Sequence, residues 1–531
     1  MRDMGSCRPS RLATAEEQAQ MRMKLPSLML AAAAIGLIAM QFNAWAADTG
    51  ESIVGQGVPG KVTPCATCHG VRGEGGGDGV FPRVAGLPAA YIETQLKAFR
   101  DGGRSSPLMS PMAVGLSDAD ISAIATYLER QQPMFFAPPK AEPVQLERGQ
   151  NLVTLGRWAQ GIPSCTSCHG AALQGVEPAI PSLAGQSWQY LSAQLEAYRS
   201  GQRAPGPLQL MGRIARGLNS QEIQDVSVYI ASLRPGARPE IPRPATPEPY
   251  RAKPQSPDTF VPPPESAIPA GPYGELIRFG QSIFEDTPKH AAHYAGNTLS
   301  CRNCHLDRGR DPKSSPMWAA YVHYPEYRKK DGLVNTLQMR IQGCFRYSQN
   351  GTVPDADSRE LTALVTYFYW MASGLPVGVT PKAAGYPKLN APQAIPSPER
   401  GARVYASSCA LCHGDNGLGR GRGGEQVFPP LWGPQSFNWG AGMHQVDRAA
   451  GFIKASMPYG AGGTLTDQEA WDVAAYVNSR PRPQDPRFSE SVEKTRALYH
   501  SDHEYDYYGR EIDGLLLGAP GTLEQWEKSN K

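Results

Sequence analysis

Eight of the ten cysteines fall in four pentapeptides of one pattern: Cys65-Ala-Thr-Cys68-His69, Cys165-Thr-Ser-Cys168-His169, Cys301-Arg-Asn-Cys304-His305 and Cys409-Ala-Leu-Cys412-His413. Two thiols three residues apart on one helical turn can each form a thioether to a vinyl group of the same porphyrin. The histidine that follows then lies beneath the iron, so the spacing reads as covalent heme c attachment, repeated four times. Disulfides and zinc are the competing uses. Structural zinc takes four ligands, usually from paired Cys-x-x-Cys knuckles with no obligatory trailing histidine. Cys7 and Cys344 are left over.

Each attached heme needs a second axial ligand downstream, and an internal repeat selects it. Pro82-Arg-Val-Ala-Gly86 and the stretch Tyr91 to Arg100 correspond to Pro181-Ser-Leu-Ala-Gly185 and Tyr190 to Arg199, so the first two units are duplicates. Met109 lies 18 residues before Tyr127, and Met211 lies 18 before Tyr229. Met112 falls instead in the column of Ile214, which cannot bind iron, so Met109 and Met211 are the expected ligands. Met457, 19 residues before Tyr476, repeats the register in the fourth unit. Lys454 is a weaker candidate there, able to compete only at high pH. After each methionine comes a capping-box pattern: Ser117 with Asp120, Asn219 with Glu222, Thr466 with Glu469. Ile121, Ile124, Ala125 and Leu128 then mark one buried helical face. His/Met ligation raises the iron potential, so these three hemes suit the acceptance and onward passage of electrons.

The third pentapeptide breaks the register. Its closing helix is expected from Asp357-Ser-Arg-Glu360 through Leu364, Val365 and Phe368, yet no methionine stands in place; Met339 and Met371 are both out of step. Gly343-Cys344-Phe345 precedes that helix instead. A free cysteine is commonly an inert buried residue. Here Arg328, Lys329, Lys330, Arg340 and Arg346 lie close by in sequence, and cationic surroundings favour the thiolate. The expectation is therefore an iron held by His305 and Cys344, at lower potential than its neighbours.

These sites need several domains to hold them, which 531 residues allow. A formal charge of +3 excludes the strongly basic surface of a nucleic-acid binder, and 56 glycines with 49 prolines fit loop-rich cofactor domains. The expected fold is all-α: four class I cytochrome c domains in two diheme halves. They span 47–134, 145–234, 273–380 and 396–482, with a stiff Pro-rich linker at 235–272 joining the halves and a tail at 483–531. Residues 1–46 read as a signal peptide, with basic Arg22 and Lys24, an apolar run from Ser27 to Met40 and the small-x-small site Ala44-Trp-Ala46. A start at Met21 or Met23 would exclude Cys7. No later segment is apolar enough to span a bilayer, so the mature protein is expected to be soluble in the periplasm. The tail carries Tyr499-His-Ser-Asp-His503 and Tyr505-Asp-Tyr-Tyr508, which admit a metal site but read first as a segment wrapped over a heme edge.

Residues 47–234 resemble periplasmic diheme cytochromes c that carry electrons. Residues 273–531 resemble the catalytic subunit of tetrathionate-forming thiosulfate dehydrogenase. The resemblance rests on Phe279-Gly-Gln-Ser-Ile-Phe284, the run Gly296 to Leu306, Ser315-Pro-Met-Trp-Ala-Ala-Tyr321, Tyr324-Pro-Glu-Tyr-Arg328, Arg340-Ile-Gln-Gly-Cys-Phe345, Ser348-Gln-Asn-Gly351 and Phe452-Ile-Lys-Ala-Ser-Met-Pro458. It implies a natural fusion of the enzyme with its electron acceptor, and a His/Cys-ligated heme at the active site. It also implies that Arg340 helps hold the anionic substrate, that Lys330 takes a second basic position where arginine is usual, and that Ser348 belongs to the site. Some relatives place a lysine immediately before the fourth-heme methionine; Ser456 stands there, which implies plain His413/Met457 ligation.

The implied reaction joins two thiosulfates into tetrathionate, and the same site could run in reverse. Cys344 would leave the iron and bond the sulfane sulfur of one thiosulfate, and a second thiosulfate would then attack that sulfur. Electrons would pass from the third heme to the fourth, across to the N-terminal pair and on to a periplasmic acceptor. Two other classes compete: a pure electron carrier, and a heme-thiolate transferase that loads a carrier protein's cysteine. The attached diheme half argues against the transferase.

Overall fold

The computed structural model describes residues 49–204, 206–234, 236–240, 253–328 and 332–530. The expected signal peptide, Cys7 and Lys330 lie outside the described residues, as does part of the Pro-rich stretch.

Each pentapeptide sits in a unit built on one helix crossing. The helix at 49–56 meets Asp118–Glu129, Pro143–Thr154 meets Ser220–Ser232, Gly271–Glu285 meets Arg359–Met371, and Pro398–Ser408 meets Asp467–Asn478. A glycine marks all four crossings. A Cβ on Gly50, Gly149, Gly280 or Gly401 would fall 2.1, 2.2, 2.1 or 2.0 Å from the carbonyl oxygen of Ala123, Asp225, Ala363 or Asp472. The same Cβ would crowd Tyr127, Tyr229, Tyr367 or Tyr476, four residues further on. Close backbone approach, rather than an unusual φ, demands glycine here.

The closing helices start as their sequences predict. Capping boxes form at Ser117/Asp120, Asn219/Glu222 and Thr466/Glu469, and in the third unit Ser358 accepts from the Leu361 N–H. The pentapeptides of the first, second and fourth units lie on short α-turns, Ala66–His69, Thr166–His169 and Ala410–His413. The third differs already here, with Cys301–Asn303 in a 3₁₀ turn. Among the described residues, sheet is confined to three two-stranded antiparallel hairpins. No described helix is long and apolar enough to cross a membrane.

The first two units face each other across a local two-fold arrangement. Arg104 donates to Gln194 Oε1 at 2.7 Å and to Tyr190 Oη at 3.2 Å; Arg203 donates to Gln95 Oε1 at 2.8 Å and to Tyr91 Oη at 3.4 Å. The repeat residues Tyr91 and Tyr190 thus serve the duplicate interface.

Polar contacts from the third and fourth units tie this pair to the rest. The hairpin Arg420–Arg422/Glu425–Phe428 reaches out of the fourth unit, where Arg422 Nη1 donates to the Gln174 carbonyl at 2.9 Å and Glu425 pairs with Arg238. Buried Arg308 of the third unit pairs with Glu265 and donates to the Thr154 carbonyl at 3.4 Å. Glu265 lies inside the stretch read as a stiff spacer. Phe260, Glu265 and Ile268 are buried there and the next helix begins at Gly271, so this part is built into the third unit. The tail is integral as well: Tyr507, Tyr508 and Leu517 share a core with Trp439, Val446 and Trp471. Burying a side chain of that size stabilises by about 1.5–3 kcal/mol. Trp526 packs on the cluster of Tyr405, Trp432 and Cys409, beside the fourth pentapeptide.

Candidate active site

Four histidines are set up alike. His69, His169, His305 and His413 each place Nδ1 2.8–3.0 Å from a carbonyl oxygen, of Pro82, Pro181, Ser315 and Pro429 respectively. That contact makes Nδ1–H the donor and leaves Nε2 bare for iron. Burial pushes all four imidazoles down from their ordinary basicity, His305 to about 4. No disulfide joins the described cysteines. Cys304, Cys409, Cys412, His413 and Met457 line one hollow of about 920 Å³ that continues to Ser164 and Trp158 of the second unit. The bare nitrogens, unpaired thiols and hollow fit covalently attached heme.

Met112, half-buried, packs beside the cluster of Val62, Leu116 and Ile121, as Ile214 packs beside Ile162, Leu218 and Ile223; Met109 is half-buried on the same short helix, Met109–Val114. Lys454 donates to the Leu465 carbonyl and pairs with Asp467 at 3.2 Å. Met371 is fully buried in the third core, and Met339 is 39 % exposed.

Around Cys344 the chain is arranged differently. Thr336 caps the helix Leu337–Gly343, which runs directly into a π-turn, Cys344–Ser348, closed by the Gln349 N–H donating to the Cys344 carbonyl at 2.9 Å. Such turns often mark functional positions. Arg340 stands one helical turn earlier on the same face. Its Nη1 donates to Cys344 Sγ at 3.0 Å, and the Cys344 sulfur holds the guanidinium above its usual pKa despite burial. Ser348 closes the same turn, and its carbonyl accepts from Asn297 Nδ2 at 2.9 Å. Arg346 is exposed, over the Tyr347 ring at 5.7 Å.

Two further residues complete the basin. Arg448 comes from the fourth unit, on the helix Val446–Ser456; burial, together with repulsion from Arg328 and Arg340, lowers its pKa. Arg448 is thus repelled by Arg328 and Arg340 and drawn by neighbouring Asp447, and a dianion bound there would relieve the repulsion. Tyr386 comes from the connector between units. It stacks on His305 at 6.1 Å and 19°, donates to the Cys304 carbonyl at 3.3 Å and meets Phe452 edge-on at 5.5 Å. Sequence reasoning confined to the third unit missed both, because neither lies between its pentapeptide and its closing helix.

Comparison with known proteins bears on the units that carry this site. The SoxA/TsdA cytochrome c domain model matches residues 290–377, the cbb3-type cytochrome c oxidase subunit III model 396–477, and the cytochrome c model 61–132 and 146–234. A thiosulfate dehydrogenase of Stutzerimonas stutzeri is 53 % identical over 260 residues, covering 49 % of this chain and 85 % of that protein. The chain belongs to the thiosulfate dehydrogenase family. Beside the enzymes of this family, a thiosulfate dehydrogenase electron acceptor, also of S. stutzeri, is 44 % identical over 203 residues, 38 % of this chain and 93 % of that protein. The solved thiosulfate dehydrogenase TsdBA of Marichromatium purpuratum covers 89 % of this chain and 99 % of its own at 42 % identity, with a TM-score of 0.81. The all-α cytochrome c fold and the fusion of an acceptor-like half to an enzyme-like half are thus properties of this family member.

Proposed function

We propose that the chain is an exported, periplasmic tetraheme thiosulfate dehydrogenase that joins two thiosulfates into tetrathionate at Cys344. The observation that carries this reading is the 3.0 Å contact between Arg340 Nη1 and Cys344 Sγ inside a basin shared with Arg328 and Arg448. The hemes would be held by His69/Met109, His169/Met211, His305/Cys344 and His413/Met457. When bound, heme c supplies one-electron acceptors able to take the two electrons the reaction releases.

The chain's own residues do the rest. Arg340 stabilises the Cys344 thiolate, and Arg328 and Arg448 offset the charge of an incoming thiosulfate, with the Ser348 hydroxyl as an uncharged donor. Lys330, which lies outside the described residues, is proposed from its place in the sequence as a further substrate-binding cation. The Cys344 sulfur bonds the sulfane sulfur of one thiosulfate as two electrons depart, giving a cysteine S-thiosulfonate. A second thiosulfate attacks that sulfane sulfur; the new S–S bond makes tetrathionate, and Cys344 leaves as thiolate. Trp158 of the second unit meets Tyr459 of the fourth edge-on at 5.2 Å, which supports passage toward the N-terminal pair. A downstream periplasmic acceptor then discharges that pair. Run backwards, the same steps reduce tetrathionate.

The test is an assay of the heme-loaded protein with thiosulfate and ferricyanide, with tetrathionate measured by cyanolysis. One tetrathionate per two ferricyanides consumed is expected. Reduction of the protein by artificial donors without any tetrathionate would sink the proposal in favour of a carrier.

A further inference from the structure

Outside the Cys344 turn itself, three buried side chains of metal-ligating type meet where the tail crosses the fourth unit. His444 ends the turn Gly442–His444, while His500 and Asp506 come from the tail. One ligand atom of each lies within 4.8 Å of the other two. Asp506 Oδ2 is 3.0 Å from His500 Nδ1 and 3.5 Å from His444 Nδ1. Ligand atoms around a tetrahedral zinc ion are about 3.3 Å apart, because each lies about 2.0–2.1 Å from the metal. The two separations bracket that edge.

The surroundings follow the same design. His500 Nε2 is 3.1 Å from Asp485 Oδ2, and Arg487 clamps that carboxylate through Nε at 3.0 Å and Nη2 at 2.7 Å. Metal-bound imidazoles characteristically donate their other N–H to a carboxylate, which fixes the ring and strengthens the ligand. Asp506 Oδ1 accepts from the Tyr508 N–H at 2.8 Å, which turns Oδ2 toward the histidines, and the His500 ring lies flat on Tyr508 at 4.1 Å. His503, whose Nε2 contacts the Gln445 side-chain amide, has its ring centroid 6.3 Å from that of His444 and flanks the group without belonging to it.

We propose that His444, His500 and Asp506 bind a divalent transition metal, zinc by the character of the donors, which clasps the tail onto the fourth unit. Two imidazoles and a carboxylate suit zinc, with water completing four-coordination. The rival arrangement is a metal-free network in which a proton sits between Asp506 and His500. The clasp bears on the active site because His444 stands two residues before the helix Val446–Ser456, which carries Arg448.

The test uses the heme-loaded full chain without an affinity tag, stripped with a chelator, equilibrated with Zn²⁺ and desalted. Zinc and iron are then counted by plasma mass spectrometry. About one zinc per chain is expected, falling to roughly a tenth or less in Asp506→Asn and His444→Gln with iron content unchanged. X-ray absorption at the zinc edge of the unmutated protein should show imidazole scattering, a readout that survives a variant's failure to fold. Negligible zinc, full zinc in Asp506→Asn, or zinc without imidazole would each overturn the site.

Discussion

The third and fourth units share a scaffold and differ in what it presents. In both, a glycine of the first helix lies against a closing-helix carbonyl four residues before a tyrosine, Gly280 on Ala363 before Tyr367 and Gly401 on Asp472 before Tyr476. In the fourth, the position 19 residues before that tyrosine is Met457. In the third, the same position is Ser348, at the end of the π-turn, and Cys344 stands a further four residues back at its start. Of the cations beside it, Arg328 and Arg340 belong to the unit and Arg448 is lent by the neighbour. On the proposed reading, a fixed helix crossing leaves the distal segment free to serve a relay in one unit and a reaction centre in the other.

The largest expected effect breaks the comparison at its chemical end. Cys344→Ala should lower thiosulfate oxidation by roughly 10²–10⁴-fold with heme content unchanged, since nucleophile removal is among the costliest single losses. Near-normal turnover in a fully heme-loaded variant would reduce Cys344 to a spectator. Next comes the shared crossing. Gly280→Ala should destabilise the third unit by about 1–3 kcal/mol through overpacking. Gly50→Ala should cost the first unit as much yet spare ferricyanide-linked turnover, and equal activity losses in both would blur the division of labour.

Arg448→Gln should raise the thiosulfate KM about 10-fold, equivalent to about 1.4 kcal/mol, with kcat changed less than about twofold. An unchanged KM would remove the fourth unit from substrate binding. The smallest effect sharpens the likeness: Thr466→Ala and Ser358→Ala should each cost about 1 kcal/mol in thermal unfolding, because each removes one helix cap. A tenfold change in activity from either would show that the closing helices do more than scaffold.

Much of this was legible in the sequence because the units repeat. The pentapeptides, the three capping boxes and the column shared by Met112 and Ile214 are local patterns that one copy teaches about another. Gly280 and Tyr367 were readable on the same terms, as the third unit's copies of Gly50 and Tyr127. Arg448 and Tyr386 were not. Each reaches the basin only through tertiary packing, Arg448 from beyond the fourth pentapeptide and Tyr386 from a connector without periodicity. The role of Glu265 was hidden for a related reason: proline spacing reports stiffness, and the buried partner Arg308 that draws the segment inward lies 43 residues away. The tail's clustered His and Asp were visible as types, while their convergence with His444 needed the fold.

The hairpin that carries Arg422 and Glu425 into the second unit has a kinetic consequence. A free acceptor protein must find its enzyme by diffusion, so its rate of discharge depends on concentration and, for charged faces, on ionic strength. An acceptor held against the enzyme by its own chain meets it at an effective concentration in the millimolar range. Discharge of the catalytic half then becomes first-order, indifferent to dilution and to competing proteins. On the proposed route, the collision left to diffusion is the one between the N-terminal pair and its downstream acceptor.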